Sequence, residues 1–321
     1  MADQATPCAT RSWTVPAESP RLRLDAFARE CLPHLSRRQI EAAIRGGVFF
    51  VRGRTGKKGD QLSGGDSLLF CGPQAWLAES PSPGDETALR VIYEDNAILA
   101  VNKPAGIATH GFSGRDTDTL ANLVLARRPD IAKVGRSRWE PGLVHRLDRE
   151  TSGVLLVAKT QQAFEHLRAQ FRRRQVKKIY WALVWGNTPA RGVIDLSLVH
   201  DRRDRRRMRA VDEMARYDER AWKAITRYRR IGRSRGVSLL EIDMETGVTH
   251  QIRTHCAEIG HPVVADSLYG ERHRRTFGLG RHFLHARRLT ILHPENERQL
   301  MLEAELSEDL AEALRGLKIN F

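Results

Sequence analysis

Apolar positions first recur at helical spacing between residues 21 and 33, where Leu24, Phe27, Ala28, Cys31 and Leu32 share one face and Pro33 closes the segment. A second short helix is predicted directly after it. Ser36 and Gln39 have capping-box spacing, Ile40, Ala43 and Ile44 supply the stripe, and Gly46-Gly47 ends it. The pattern then changes to strands at residues 48–51 and 67–70, separated by the turn-forming stretches 52–56 and 64–66.

Residues 72–86 are rich in Pro, Ser and Gly, so the spacing predicts a linker over 73–88 and a second domain over 89–321. Strands are predicted at 91–93 and 98–101, and the unbroken apolar run 154–158 reads as a fully buried strand. From 161 to 176 the pattern is amphipathic, with Phe164, Leu167 and Phe171 inward and Arg168, Arg172, Arg173 and Arg174 outward. Further strands are predicted at 177–186, 237–242 and 289–294. Helices are expected over 249–260 and around Leu310, Ala311, Ala313, Leu314 and Leu317. No internal repeat indicates a solenoid.

Charge narrows the partner. The 321 residues carry 53 Lys plus Arg against 39 Asp plus Glu, a formal net charge of +14, and Arg greatly outnumbers Lys. A planar guanidinium grips phosphate and stacks on bases, so the balance favours a nucleic acid over a small acidic substrate. The arginines crowd most densely between His200 and Arg235, with Arg216 and Arg220 among them, and that segment is expected to face RNA. Cys8, Cys31, Cys71 and Cys256 lie far apart and form no C-x-x-C pair, so neither a zinc knuckle nor a disulfide framework is indicated. No apolar run approaches the ~18 residues of a membrane span, and the polar residues 1–20 lack a signal-like core. The expectation is a cytoplasmic, monomeric protein with a disordered first segment, 1–20.

One stretch concentrates chemistry. Residues 142–153 place His145, Arg146, Asp148, Arg149 and Glu150 within six consecutive positions, then turn through Thr151-Ser152-Gly153 into the buried run. Charged groups are thereby held against a core. Lys103, in Asn102-Lys103-Pro104-Ala105-Gly106, is expected at the edge of a loop after a strand. His250 and His255 are five apart, which does not place two metal ligands on one helical face, and no glycine-rich phosphate loop follows a strand. No metal and no cofactor are expected.

The first module, with Arg23-Leu24-Asp25, Leu35-Ser36-Arg37-Arg38-Gln39-Ile40, Gly46-Gly47-Val48 and Gly65-Asp66, resembles the S4 RNA-binding domain over 21–72, with Val51-Arg52-Gly53 at its hairpin. Beyond it, an ordered series resembles the pseudouridine synthases of the RluA type: Asn102 to Gly106, His145-Arg146-Leu147-Asp148 with Thr151-Ser152-Gly153, Lys178-Ile179-Tyr180, Thr246-Gly247 with His250-Gln251-Ile252-Arg253, and Gly260-His261-Pro262 through Asp266 to Leu268-Tyr269-Gly270. The chain departs from that pattern at Val248, where the family commonly has a basic residue.

The resemblance implies an α+β fold with a mixed, mainly antiparallel sheet and flanking helices, plus the small α/β module. It implies isomerisation of a uridine in RNA, ribosomal rather than transfer RNA, without a cofactor. Asp148 is the implied nucleophile, toward ribose or base, and Arg253 its partner, since a nearby cation keeps a half-buried carboxylate ionised. Tyr180 is implied to stack on the uracil or to take the C5 proton, Arg146 to enter the RNA in place of the flipped base, and Leu268 to line the pocket. Lys103, Arg37, Arg38 and Arg52 are the expected RNA contacts. The alternative reading is a non-catalytic RNA-binding or ribosome-assembly protein on the same fold, or a synthase acting on transfer RNA.

Overall fold

The computed structural model describes residues 8–211, 221–270 and 275–321, so Arg216 and Arg220 of the basic run lie outside the described residues. The first unit comprises β1 (Cys8–Thr14), β2 (Leu22–Arg23), α1 (Leu24–Cys31), α2 (Arg37–Arg45), β3 (Phe49–Val51), β4 (Arg54–Thr55), β5 (Gln61–Leu62) and β6 (Ser67–Pro73). Its sheet runs β1-β6-β3-β4, and β2 pairs with β5. Leu24, Phe27 and Ala28 of α1 and Ile40, Ala43 and Ile44 of α2 are buried against Phe49, Leu68 and Phe70. The capping box at Ser36 is formed in both directions, which fixes where α2 begins.

Two boundaries differ from expectation. The disorder expected over 1–20 gives way from Cys8 onward to β1, which pairs antiparallel along the whole of β6. A polar strand of this kind carries no alternating signal, and it is held by backbone ladder bonds and by buried Val15. The linker expected over 73–88 contains two short 3₁₀ turns, at Gln74–Trp76 and Glu86–Ala88. Trp76 is buried in the core of the first unit, so that unit extends past residue 72.

The second unit comprises β7 (Arg90–Glu94), β8 (Ile98–Lys103), α3 (Leu120–Arg127), β9 (Ser152–Ala158), α4 (Gln161–Arg172), β10 (Lys177–Trp185), β11 (Arg191–Asp195), β12 (Ser197–His200), β13 (Met208–Val211), β14 (Ile225–Ser234), β15 (Val237–Met244), α5 (Gln251–Glu258), β16 (Leu284–Leu292), β17 (Gln299–Glu303) and α6 (Glu308–Gly316). The large sheet runs β11-β14-β15-β10-β16-β9-β8-β7, with β17 also on β16. All its pairings are antiparallel except β9 with β16. The unbroken apolar run of β9 follows from this position. Leu155 and Val157 face one core with Leu120 and Val124 of α3, while Val154, Leu156 and Ala158 face another with Phe164 and Leu167 of α4.

Part of the basic run is ordinary sheet surface. Arg229 of β14 pairs with Glu241 of β15, and Arg227 of β14 with Glu245 just past the end of β15. Exposed pairs of this kind contribute little stability, and they are not free for phosphate.

The parallel contact between β9 and β16 is lined with histidines. Thr151 Oγ1 lies 2.9 Å from His282 Nε2, and Ser152 Oγ lies 2.9 Å from His285 Nδ1. Burial pushes both imidazoles down, to about 4 each. A depressed histidine favours folding above its unfolded pKa of about 6.5, and that contribution is lost as pH falls toward 4. Each is linked to on the order of 3 kcal/mol. The urea midpoint is therefore expected to fall steeply between pH 6.5 and 4.5, and His285→Asn to flatten the decline; a midpoint constant over that range contradicts the assignment.

Candidate active site

Asp148 sits on the loop that enters β9, and the loop is held by its backbone. Buried Lys103 donates through Nζ to the carbonyls of Pro104 (2.8 Å), Arg149 (3.0 Å) and Thr151 (3.0 Å). Thr109 Oγ1 donates to Leu147 O at 2.7 Å, and Arg281 Nη1 donates to Glu150 O at 2.9 Å. Gly153, at φ +119°, is required where the loop becomes strand, because a Cβ there would lie 2.2 Å from Ala286 O. Loop and strand are thus fastened without the Asp148 side chain.

Sheet register brings Tyr180 to the same place. Tyr180 on β10 is opposite Ala286 on β16, and Ala286 is opposite Gly153 on β9, so one row across three strands links the tyrosine to the loop. On its other side Tyr180 is opposite Ile242 of β15. The phenol is buried, and burial, with the Asp148 charge adding to it, pushes its pKa upward.

Arg253 arrives from α5. Gln251 fixes the start of that helix: its Oε1 accepts from Thr246 Oγ1 at 2.8 Å and Val248 N at 3.1 Å, and its Nε2 donates to Ile225 O and Thr226 Oγ1 at 3.0 Å each. Arg253 then forks. Its Nε and Nη2 donate to Asp266 at 2.6 and 2.9 Å, and its Nη1 donates to Asp148 Oδ2 at 3.1 Å. The Asp266 side chain is fully buried, and burial alone would raise its pKa. Burial is the largest single influence, but the hydrogen bond and charge of Arg253, with the Leu268 amide, together outweigh it and hold the carboxyl below its ordinary range. Asp266 also accepts from the amides of Leu268 and Tyr269 at 2.9 and 3.0 Å.

His250 completes the ring of polar groups. It adopts the left-handed conformation at φ +56°, costly for a residue with a Cβ, and its Nδ1 lies 2.9 Å from the Tyr269 hydroxyl. Its Nε2 lies 3.7 Å from Asp148 Oδ2. Burial pushes the imidazole down, so it is largely neutral near pH 7.

These groups surround a cavity of about 120 Å³ lined by Arg146, Asp148, Tyr180, His250 and Arg253, with Met244, Ile252 and Leu284 as its apolar wall. Sequence reasoning thus names the residues that the fold assembles, with two corrections. Lys103 is not at a loop edge: it is 0% exposed, burial pushes its ammonium down to about 7, and its donors are all on loop carbonyls, so it is a positioning residue and not an RNA contact. Leu268 is half-buried beside Asp266 and does not line the cavity. Arg37, Arg38 and Arg52 are exposed on the first unit, far along the chain from this cavity; Arg37 pairs with Glu41 and Arg52 with Asp66.

Asp266 and His250 are the functional groups that sequence reasoning quoted only as parts of a motif. Asp266 did carry a signal. It follows the apolar Val263-Val264-Ala265, and an acid embedded in such a run needs a cation. Val248, in place of a basic residue, packs against the small cluster of Leu198, Met208 and Ala224.

Residues 97–258 match the family described as RNA pseudouridylate synthase. A Chloroflexus aurantiacus protein named as an uncharacterized RNA pseudouridine synthase is 39% identical over 304 residues, spanning 95% of this chain and 92% of that protein. The ribosomal large subunit pseudouridine synthase D of Neisseria meningitidis serogroup B is 36% identical, spanning 96% of this chain and 82% of that protein. Among solved structures, human RNA pseudouridylate synthase domain containing 4 is similar with a TM-score of 0.56 at 25% identity, covering 74% of this chain and 96% of that one.

Proposed function

The chain belongs to the RNA pseudouridylate synthase family, and from that premise we propose that it isomerises a uridine of large-subunit ribosomal RNA with Asp148 as nucleophile. In this isomerisation the bond from ribose C1′ to uracil N1 breaks, the uracil turns, and C1′ bonds to C5. The C5 proton leaves and N1 gains one, so no atom or electron is exchanged overall. The observation that carries the reading is the Arg253 fork, which holds the Asp148 carboxylate in the wall of a cavity that Tyr180 also lines.

Each residue has a role that its surroundings support. Asp148 is 23% exposed at its side chain, so it is reachable by a nucleotide, while Arg253 aims it and balances its charge. Tyr180 is suited to stack on the uracil. As a proton acceptor it is poorly suited, because a buried phenol with a raised pKa is neutral and has little basicity. Arg146 is exposed, lines the cavity and forms no close ion pair among the described residues, so its guanidinium can fill the gap left by a flipped base.

Ribosomal RNA is favoured because several relatives at 34–36% identity carry the name ribosomal large subunit pseudouridine synthase D. Incubating the purified protein with a transcript of large-subunit RNA and mapping pseudouridine by carbodiimide modification tests this. Modification at one or a few uridines is expected, and transfer RNA alone as substrate would refute the ribosomal assignment.

The first unit supports an S4-like RNA-binding role by its helix pair, its small sheet and the exposed Arg37 and Arg38 at the start of α2. It has its own core, separate from the large sheet. Removing residues 1–77 is expected to weaken RNA binding and to flatten its dependence on salt, because each lost phosphate contact removes roughly 0.7 to 0.9 from the log-log slope. An unchanged slope in the truncated protein would deprive the unit of that role.

A further inference from the structure

A second cleft, of about 680 Å³, opens beside the cavity and shares Arg146, Tyr180, Met244, Gly247 and Val248 with it. Its remaining wall is cationic. Arg136, Arg172, Arg174 and Lys223 line it, and among the described residues none of the four has an ion-pair partner. The acid that also lines it, Glu245, is engaged by Arg227. Elsewhere on the surface many arginines are matched with carboxylates, as at Arg37, Arg52, Arg127 and Arg229. Unmatched cations concentrated in a concave site attract a polyanion.

The cleft also holds an aromatic ring that packing does not explain. Trp222 is 45% exposed. Its backbone is fixed by two hydrogen bonds of 2.9 Å with Leu198, and its ring stands nearly perpendicular to His200, at 5.4 Å between centroids. An indole fixed at its base, partly exposed and lining the cleft, can serve as a stacking platform. Aromatic platforms between phosphate-binding cations are the physical basis of single-strand recognition.

We propose that this cleft seats a nucleotide next in the strand to the isomerised uridine, with its base stacked on Trp222 and its phosphates on Arg172 and Arg174. The proposal rests on the RNA reading given above and adds a requirement to it: the neighbour of the target must itself be unpaired to reach Trp222.

The test compares the full-length protein with Trp222→Ala, Trp222→Phe and the double variant Arg172→Ala/Arg174→Ala. The probes are a fluorescent single-stranded oligouridylate and an abasic phosphodiester strand of the same length. Trp222→Ala is expected to bind oligouridylate about tenfold more weakly and the abasic strand as well as the wild type does, while Trp222→Phe retains most of the affinity. The arginine variant is expected to weaken both probes and to reduce the salt slope by about 1.4. Tryptophan fluorescence of the wild type should be quenched by oligouridylate, and most of that quenching should vanish in Trp222→Phe. Three outcomes overturn the proposal: an unchanged affinity of Trp222→Ala for oligouridylate, an equal loss on both probes, or no preference of the wild type for bases over bare backbone. Pseudouridine formation on the ribosomal transcript is scored separately. Its absence from the wild type refutes the proposed function, whereas the oligouridylate comparison addresses the cleft.

Discussion

Replacing Asp148 with asparagine is expected to abolish pseudouridine formation, by a factor on the order of 10⁴ or more, while the protein still folds and binds RNA. Asparagine has the size of aspartate but no nucleophilic carboxylate. The loop does not depend on that carboxylate for its shape, because Lys103, Thr109 and Arg281 hold it through backbone carbonyls. Arg253 is not orphaned either, since two of its nitrogens remain on Asp266. The urea midpoint should therefore move little, within about 1 kcal/mol of the parent. Single-turnover product formation and filter binding of the ribosomal transcript, measured on one preparation, separate chemistry from affinity. Normal product from Asp148→Asn would remove Asp148 from the reaction. A wild type that binds RNA and never modifies it would instead favour the non-catalytic reading.

What the sequence revealed, and what it concealed, follows from the range of the interactions involved. The capping box at Ser36 and the apolar stripes of α1, α2 and α4 are local, and they are read directly from spacing. The helix α3 escaped the periodicity argument because Leu120, Ala121, Leu123, Val124 and Leu125 are all buried, leaving no polar face to set a period. The strand β1 escaped it because its stability comes from ladder bonds to residues more than fifty positions away. Within the site, Asp148, Tyr180 and Arg253 were named by motif, but their meeting depends on the β9-β16-β10 row and on the anchoring of α5 by Gln251. Lys103 was misplaced for the same reason. Its burial is decided by carbonyls of residues 149 and 151, which no local pattern around Pro104 foretells.

Arg253 supports the second large effect, because it serves stability and chemistry through different atoms. Arg253→Met leaves the Asp266 carboxylate buried with only the two amides of Leu268 and Tyr269, and breaking a buried ion pair from one side costs about 3–5 kcal/mol. Adding Asp266→Asn removes the uncompensated charge and keeps an oxygen for the two amides, so the double variant is expected to regain most of the lost stability. It should not regain activity, since the Nη1 donor to Asp148 is still missing. Urea denaturation of the two single variants and the double variant reads the first effect, and single-turnover pseudouridine formation reads the second. If the double variant is as unstable as Arg253→Met, the lost packing of the guanidinium stem is responsible and not the buried charge. If it regains activity along with stability, Arg253 acts on the reaction only by holding the fold, and the aiming of Asp148 must be sought in His250, whose Nε2 is 3.7 Å away.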